Sequence, residues 1–287
     1  MEKYLSHYSA ATFWNIPYID TVLGFKADEL GTMDFTFNKR NARYFSKDST
    51  NYLCQLTLPA GAVISRKGVK VASPEFMFIQ LASRLDIHRL ILLGLQLCSH
   101  PPGKAGEAIT SKQKLGNFLK KAQGHRGYRK ACRSLQYIED GSASIMESIA
   151  YMVLALPHAL GGYGLRTPIF NYEVKLKEEP GKRLEQGRCF VDLYYGSKKI
   201  AVEYDSFTYH KKPSEQGRDA VRSMALERQG IRVMSLSTLQ IYDKKACMDF
   251  AYNLAHSLDK RIQIRAKKFD IMHDRLRSLL PNKSTFV

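Results

Sequence analysis

No apolar run in the chain is long enough to cross a bilayer. The two longest, Leu90–Cys98 and Ile149–Leu156, fall far short of the roughly 18 residues that suggest a spanning helix. The opening residues lack a charged-then-apolar signal pattern, so a cytoplasmic location and no membrane partner are expected. Cysteine is sparse and scattered: Cys54, Cys98, Cys132, Cys189 and Cys247 are odd in number and include no C-x-x-C spacing. That argues against both a disulfide framework and a zinc site. No internal repeat is present. Acid is also short, with 27 Asp and Glu against 44 Lys and Arg, a formal net charge of +17. A chain this basic is drawn to phosphate backbones or anionic membranes before any specific contact forms.

What is present reads as a folded chain of 287 residues, 44% hydrophobic and 25% charged, long enough for two domains. The expected fold class is α/β, α+β overall. Residues 1–100 form a small α+β domain, 101–110 a linker, and 111–287 a second domain with a helical C-terminal extension. In the first, a helix is expected over Ser6–Asn15, ending before Pro17, and strands over Thr32–Phe37, Leu53–Leu58 and Ala62–Ala72, the last folded at Lys67-Gly68. Ser73-Pro74-Glu75 opens a helix, with serine as cap and proline in the first turn. Asp86–Cys98 is a second packing helix, and no chemistry is read in residues 1–98. The run Pro101-Pro102-Gly103-Lys104-Ala105-Gly106 is the expected linker.

Between Glu107 and Glu139 there is no acid, yet eight bases fall there. Helices over Ser111–Ala122 and Arg126–Tyr137 would set Lys112, Lys120, Lys121, Arg126, Arg129 and Lys130 toward phosphate. Ser144-Ile145-Met146-Glu147 opens the next helix; Glu147 either closes a capping box with Ser144 or turns toward the acids further on. A strand follows at Tyr172–Lys177, and a helix over Ser214–Gln229 ends at Gly230. On that helix Arg218 and Arg222 lie one turn apart, as a cation pair for phosphate or with Asp219–Arg222 as a surface ion pair. Ile231–Leu236 is a buried strand, and Tyr242–Leu258 and Asp259–Leu280 are amphipathic helices, the last bearing a second basic surface.

The stretch Val191–His210, VDLYYGSKKIAVEYDSFTYH, carries the candidate chemistry. Its alternation reads as a hairpin turning at Gly196-Ser197, with Asp192 opposite Ala201, Glu203 diagonal to Asp192, and Asp205 on the same face. Carboxylates gathered in this way repel one another unless a cation or a proton is shared between them. Mg²⁺ resolves the repulsion, because it takes one or two carboxylates and keeps waters and substrate phosphate oxygens.

A helix with S-x-x-E, a strand, an aspartate in a hairpin, E-x-D, a loop histidine and a helix with R-D-x-x-R, in that order, resemble the PD-(D/E)XK nuclease superfamily, in its very-short-patch-repair-like branch. The likeness covers about residues 111–258. It implies a restriction-endonuclease-like mixed sheet flanked by helices, and Mg²⁺- or Mn²⁺-dependent hydrolysis of phosphodiester bonds. It also implies roles: Asp192, Glu203 and Glu147 at the metal, with Asp205 and His210 completing the catalytic set. Two positions depart from the superfamily pattern, Asp205 where its lysine usually stands and Ser206 where glycine is common. The N-terminal motifs S-H-Y-S-A-A-T-F-W-N-I-P and V-A-S-P-E-F-M-F-I-Q-L-A resemble abortive-infection antitoxin proteins, which implies a phage-defence or toxin–antitoxin setting. The expected function is therefore a metal-dependent endonuclease acting on nucleic acid, DNA before RNA, with a protein partner or homodimer left open. The alternative is a non-catalytic nucleic-acid-binding regulator or antitoxin that retains the nuclease fold.

Overall fold

The structure is a computed structural model, and it describes residues 3–26, 31–39, 47–176, 187–205 and 222–282. It is mixed α+β, with two mixed sheets flanked by helices. The chain divides into two compact units, one of Met1–Ser99 with Glu107–Asp140 and one of His100–Gly106 with Gly141–Val287.

In the first unit, β1 (Lys3–Leu5), β2 (Met33–Phe37), β3 (Ser49–Leu53), β4 (Val63–Arg66) and β5 (Val69–Ala72) form a sheet ordered β3-β2-β1-β5-β4. The β4–β5 turn is at Lys67-Gly68 as expected; both residues have positive φ, +50° and +75°, as a type I′ two-residue hairpin turn requires. The expected strand over Leu53–Leu58 lies earlier, because Ser49–Leu53 pairs in parallel with β2. Helices α1 (His7–Phe13), α2 (Ile19–Leu23), α3 (Pro74–Ala82) and α4 (Ile87–Leu97) complete the core. The Ser73 hydroxyl accepts from Phe76 N, and Asp86 accepts from His88 N and Arg89 N. In α3, Phe76, Met77, Phe78, Ile79 and Leu81 are all buried, as are Leu90 to Leu93 of α4. At about 1.5–3 kcal/mol per large apolar side chain, these two helices are the main apolar anchor of the unit.

The basic helices α5 (Lys112–Leu119) and α6 (Tyr128–Leu135) belong to this unit, not to the second domain expected from residue 111. Both pack on α3, and α6 also on α4, through buried Leu115, Leu119 and Ala131. Gly127 fixes the approach: at φ +94° its hypothetical Cβ would lie 2.2 Å from Ile79 O. Prolines and glycines at 101–106 punctuate the backbone, but apolar burial decides which core each helix joins.

The second unit holds a four-stranded sheet, β6 (Ile169–Lys175), β7 (Arg188–Tyr195), β8 (Ile200–Asp205) and β9 (Arg232–Ser237), in that order. The β6–β7 and β7–β8 pairs are antiparallel and β8–β9 is parallel. Between the parallel strands runs α8, described over 222–228, as parallel neighbours require a crossover connection. Helix α7 (Ile145–Ala155) is buried from Ile145 to Leu154, as a helix apolar on all sides must be. Then come α9 (Thr238–Tyr242), α10 (Lys244–Ser257) and α11 (Phe269–Arg277).

The helix expected from Asp259 begins only at Phe269. Asp259 has φ +51°, and the next residue, Lys260, sends its ammonium to Gly164 O, so a tertiary contact replaces helix propagation there. Gly161, at φ +78°, lies so close to α11 that a Cβ would sit 2.4 Å from His273 N. Gly161→Ala is expected to cost about 2–3 kcal/mol, read as a lower urea midpoint with unchanged slope.

Candidate functional site

Strand β7 turns into β8 through Gly196–Lys199, four residues instead of the expected two, because Tyr195 pairs with Ile200. Lys199 closes the turn at φ +50°. The longer turn shifts the register by two. Continued one step past Leu193↔Val202, it sets Asp192 level with Glu203 instead of Ala201. A shift of two preserves the sheet face, so the acids converge more closely than the expected diagonal. Asp192 Oδ2 accepts from Tyr204 N at 2.8 Å, which fixes the carboxylate at the strand pair.

Glu147 approaches from α7. Ser144 caps that helix, its hydroxyl accepting from Glu147 N at 3.1 Å. The Glu147 side chain does not return to the Ser144 backbone; its Oε2 accepts from Ala143 N at 3.0 Å and from Asn171 Nδ2 at 2.7 Å. Asn171 is the site residue that sequence reasoning missed. It lies between the pairs Phe170↔Leu193 and Tyr172↔Val191, hence opposite Asp192. Its φ is +43°, a region asparagine enters more readily than most residues. An asparagine inside the run I-F-N-Y was the available signal. Ser144→Ala is expected to cost about 1 kcal/mol by urea denaturation, since Glu147 N loses its acceptor.

Burial first, then the charge of Asp192, pushes the Glu147 carboxyl well above the usual range. The same two causes raise Glu203, against the opposing pull of Arg222. Asp192 is raised by burial, offset in part by the Tyr204 N–H and Arg222. Arg222 Nη2 donates to Glu203 Oε1 at 2.7 Å and also to Phe190 O. Expected to face phosphate, Arg222 is instead committed to an acid of the site. Glu203 and Asp205 line a cavity of about 240 Å³ with Arg222 and Ser235. His210, Arg218 and Asp219 lie outside the described residues.

Neighbouring carboxylates supply the oxygen donors that Mg²⁺ accepts. Among the described residues no group of three or more His, Cys, Asp and Glu is spaced as a metal cage. Asp192 and Glu203 are the residues that could hold such an ion, with Glu147 within electrostatic reach of Asp192.

The other bases expected at phosphate divide in two. Lys112 Nζ pairs with Glu139 Oε1 at 2.7 Å, Lys130 Nζ donates to Leu85 O at 2.8 Å, and Lys120 Nζ reaches Asn117 Oδ1 at 3.4 Å. Lys121, Arg126 and Arg129 are exposed. No helix among the described residues is long and apolar enough to cross a membrane. No family model, curated protein or solved structure matches the chain.

Proposed function

We propose that the chain is a divalent-metal-dependent endonuclease of the PD-(D/E)XK type, hydrolysing phosphodiester bonds in DNA in preference to RNA, in a phage-defence or toxin–antitoxin setting. The observation that carries this reading is that Asp192, on one strand, lies within electrostatic reach of both Glu203 on the next strand and Glu147 on a helix, while the Arg222 guanidinium offsets Asp192 and Glu203 only. Three acids against one cation leave negative charge that a hard dication satisfies.

In this reading Asp192 and Glu203 hold Mg²⁺ or Mn²⁺. The ion, when bound, activates water and stabilises charge on the phosphate. Glu147, oriented by Asn171 and Ala143 N–H, is placed to accept a proton. Asp205 lines the same cavity, and His210 is assigned acid/base chemistry because imidazole can serve near pH 7. Lys121, Arg126 and Arg129 supply salt-sensitive attraction to the nucleic-acid backbone.

One observation favours the alternative, a nucleic-acid-binding regulator or antitoxin that does not cut: Arg222 already occupies an oxygen of Glu203. Labelled single- and double-stranded DNA and RNA, incubated with Mg²⁺, Mn²⁺ or chelator, separate the two. Metal-dependent product, greatest from DNA, is expected. Tight binding with no product in any condition would favour the regulator.

A further inference from the structure

The first unit contains a cavity of about 390 Å³ to which the proposed nuclease chemistry assigns only its rim residue Arg126, as a backbone contact. Its lining includes His7, Tyr52, Arg84, His125 and Arg126, and no carboxylate among the described residues. A neighbouring cavity of about 660 Å³ shares Ser83, His125 and Arg126 with it and is likewise without an acid. Two adjoining concavities whose surfaces carry neutral and cationic groups favour anions over cations at the wall; the buried Asp34, behind Tyr52, is the carboxylate that the bonds of this wall reach.

The positions of these side chains are fixed by the fold. His7 and His125 are more than nine-tenths buried. His7 sits at φ +46°, held there by Gln80, whose Oε1 accepts from His7 N at 3.2 Å. A non-glycine residue in this region stores strain, which tends to occur where position matters for function. The His7 ring stacks on Tyr52 with centroids 3.8 Å apart, and the Arg84 guanidinium lies over the Tyr52 ring at 5.1 Å. Both Tyr52 and Arg84 are thus oriented before any ligand arrives. Arg126 is brought to the same rim by the close approach of Gly127 to Ile79 O. Arg84 and Arg126 are both exposed; behind the Tyr52 ring the buried Asp34 carboxylate accepts from the Tyr52 hydroxyl at 3.3 Å and feels the Arg84 charge, which leaves Arg126 without a carboxylate beside it among the described residues of the lining. Burial holds the His7 imidazole down to about 3, and the charges of Arg84 and Arg126 add to the effect, so the two arginines supply the positive charge of this wall.

Two guanidiniums lining one cavity and both acting on His7 supply the paired N–H donors that a phosphate dianion accepts. Leu53 and Leu56 line the same cavity and offer an apolar surface to the remainder of a ligand. The volume is that of a small-molecule site. We propose that this cavity binds a phosphate monoester of nucleotide size, its phosphate between Arg84 and Arg126 and its uncharged part against Leu53 and Leu56. The site is built from residues of the first unit alone, and it shares only Arg126 with the nuclease reading.

Calorimetric titration of the full chain with nucleoside monophosphates, the matching nucleosides and inorganic phosphate tests this. The expected result is saturable binding of at least one monophosphate, about tenfold or more tighter than its nucleoside. Arg84→Met with Arg126→Met is expected to weaken it at least about tenfold; both side chains are exposed, and an unchanged melting temperature verifies the fold. Asp192→Asn should leave the affinity unchanged. The proposal is overturned if no monophosphate binds at millimolar concentration, if nucleoside and nucleotide bind alike, or if the arginine variant binds as wild type. Binding of 5′-phosphorylated oligonucleotides with none of mononucleotides would also overturn it, pointing to a strand end as the ligand.

Discussion

Asp192→Asn and Glu203→Gln are each expected to lower Mg²⁺-dependent DNA cleavage by about 10³-fold or more while DNA affinity persists. Charge stabilisation by a bound metal contributes several kcal/mol in the transition state, and each 1.36 kcal/mol is tenfold in rate. Both substitutions preserve the local bonds. An asparagine oxygen still accepts from Tyr204 N as Asp192 Oδ2 does, and a glutamine oxygen still accepts from Arg222 as Glu203 Oε1 does. Only charge is removed, so a collapse of cutting reads as loss of the ion and not of the sheet. The basic groups Lys121, Arg126 and Arg129 are untouched, and the steep salt dependence of binding should remain. Single-turnover cleavage beside fluorescence anisotropy measures both quantities. A variant that cuts within a few-fold of wild type would remove its residue from the metal site.

The second large effect is on stability against pH. Glu147, Asp192 and Glu203 all have raised folded-state values, so above the unfolded carboxyl range, near pH 4, the folded chain holds more protons than the unfolded one. Stability then falls as pH rises through the folded values, because its slope follows the protons bound unfolded minus those bound folded. The contribution is complete below about pH 4 and lost progressively above it. Glu147→Gln should flatten this slope. Both hydrogen bonds to Glu147 arrive at Oε2, which a glutamine oxygen replaces, so the variant should exceed wild type at pH 8 by about 1–2 kcal/mol. Millimolar Mg²⁺ should raise the stability of both proteins at the same pH, because the variant keeps Asp192 and Glu203. Buried His7, His125 and His273 slope the other way, so urea denaturation between pH 5 and 8 compares the two proteins, and equal slopes in wild type and Glu147→Gln contradict the coupling.

Much of this arrangement was legible from local chemistry. The caps Ser73, Asp86 and Ser144 act within four residues of themselves, so S-P-E, D-I-H-R and S-I-M-E announced their helices. The β7–β8 acids were found by alternation, and a miscounted turn left them on one face because the error was even. Long-range contacts hid the rest. Strand β1 has only three residues, too few for a period, yet it is central in its sheet through pairing with β2 and β5. Ser49–Leu53 is polar in composition and becomes a strand only beside β2. The assignment of α5 and α6 to the first unit rests on contacts with helices far earlier in sequence. Arg222 read as a phosphate ligand because its partner, Glu203, is 19 residues away across a crossover. Asn171 was passed over because its role appears only once α7 lies beside β6.

The claim on which the functional account turns is that these carboxylates share a dication, and Mn²⁺ uptake followed by electron paramagnetic resonance tests it most directly. The account expects wild type to remove Mn²⁺ from the free pool saturably, in competition with Mg²⁺. The combined Asp192→Asn and Glu203→Gln variant, verified as folded by circular dichroism, should leave the free signal unchanged. Equal uptake by the two proteins, or none by wild type at millimolar Mn²⁺, would contradict a metal centre at this site.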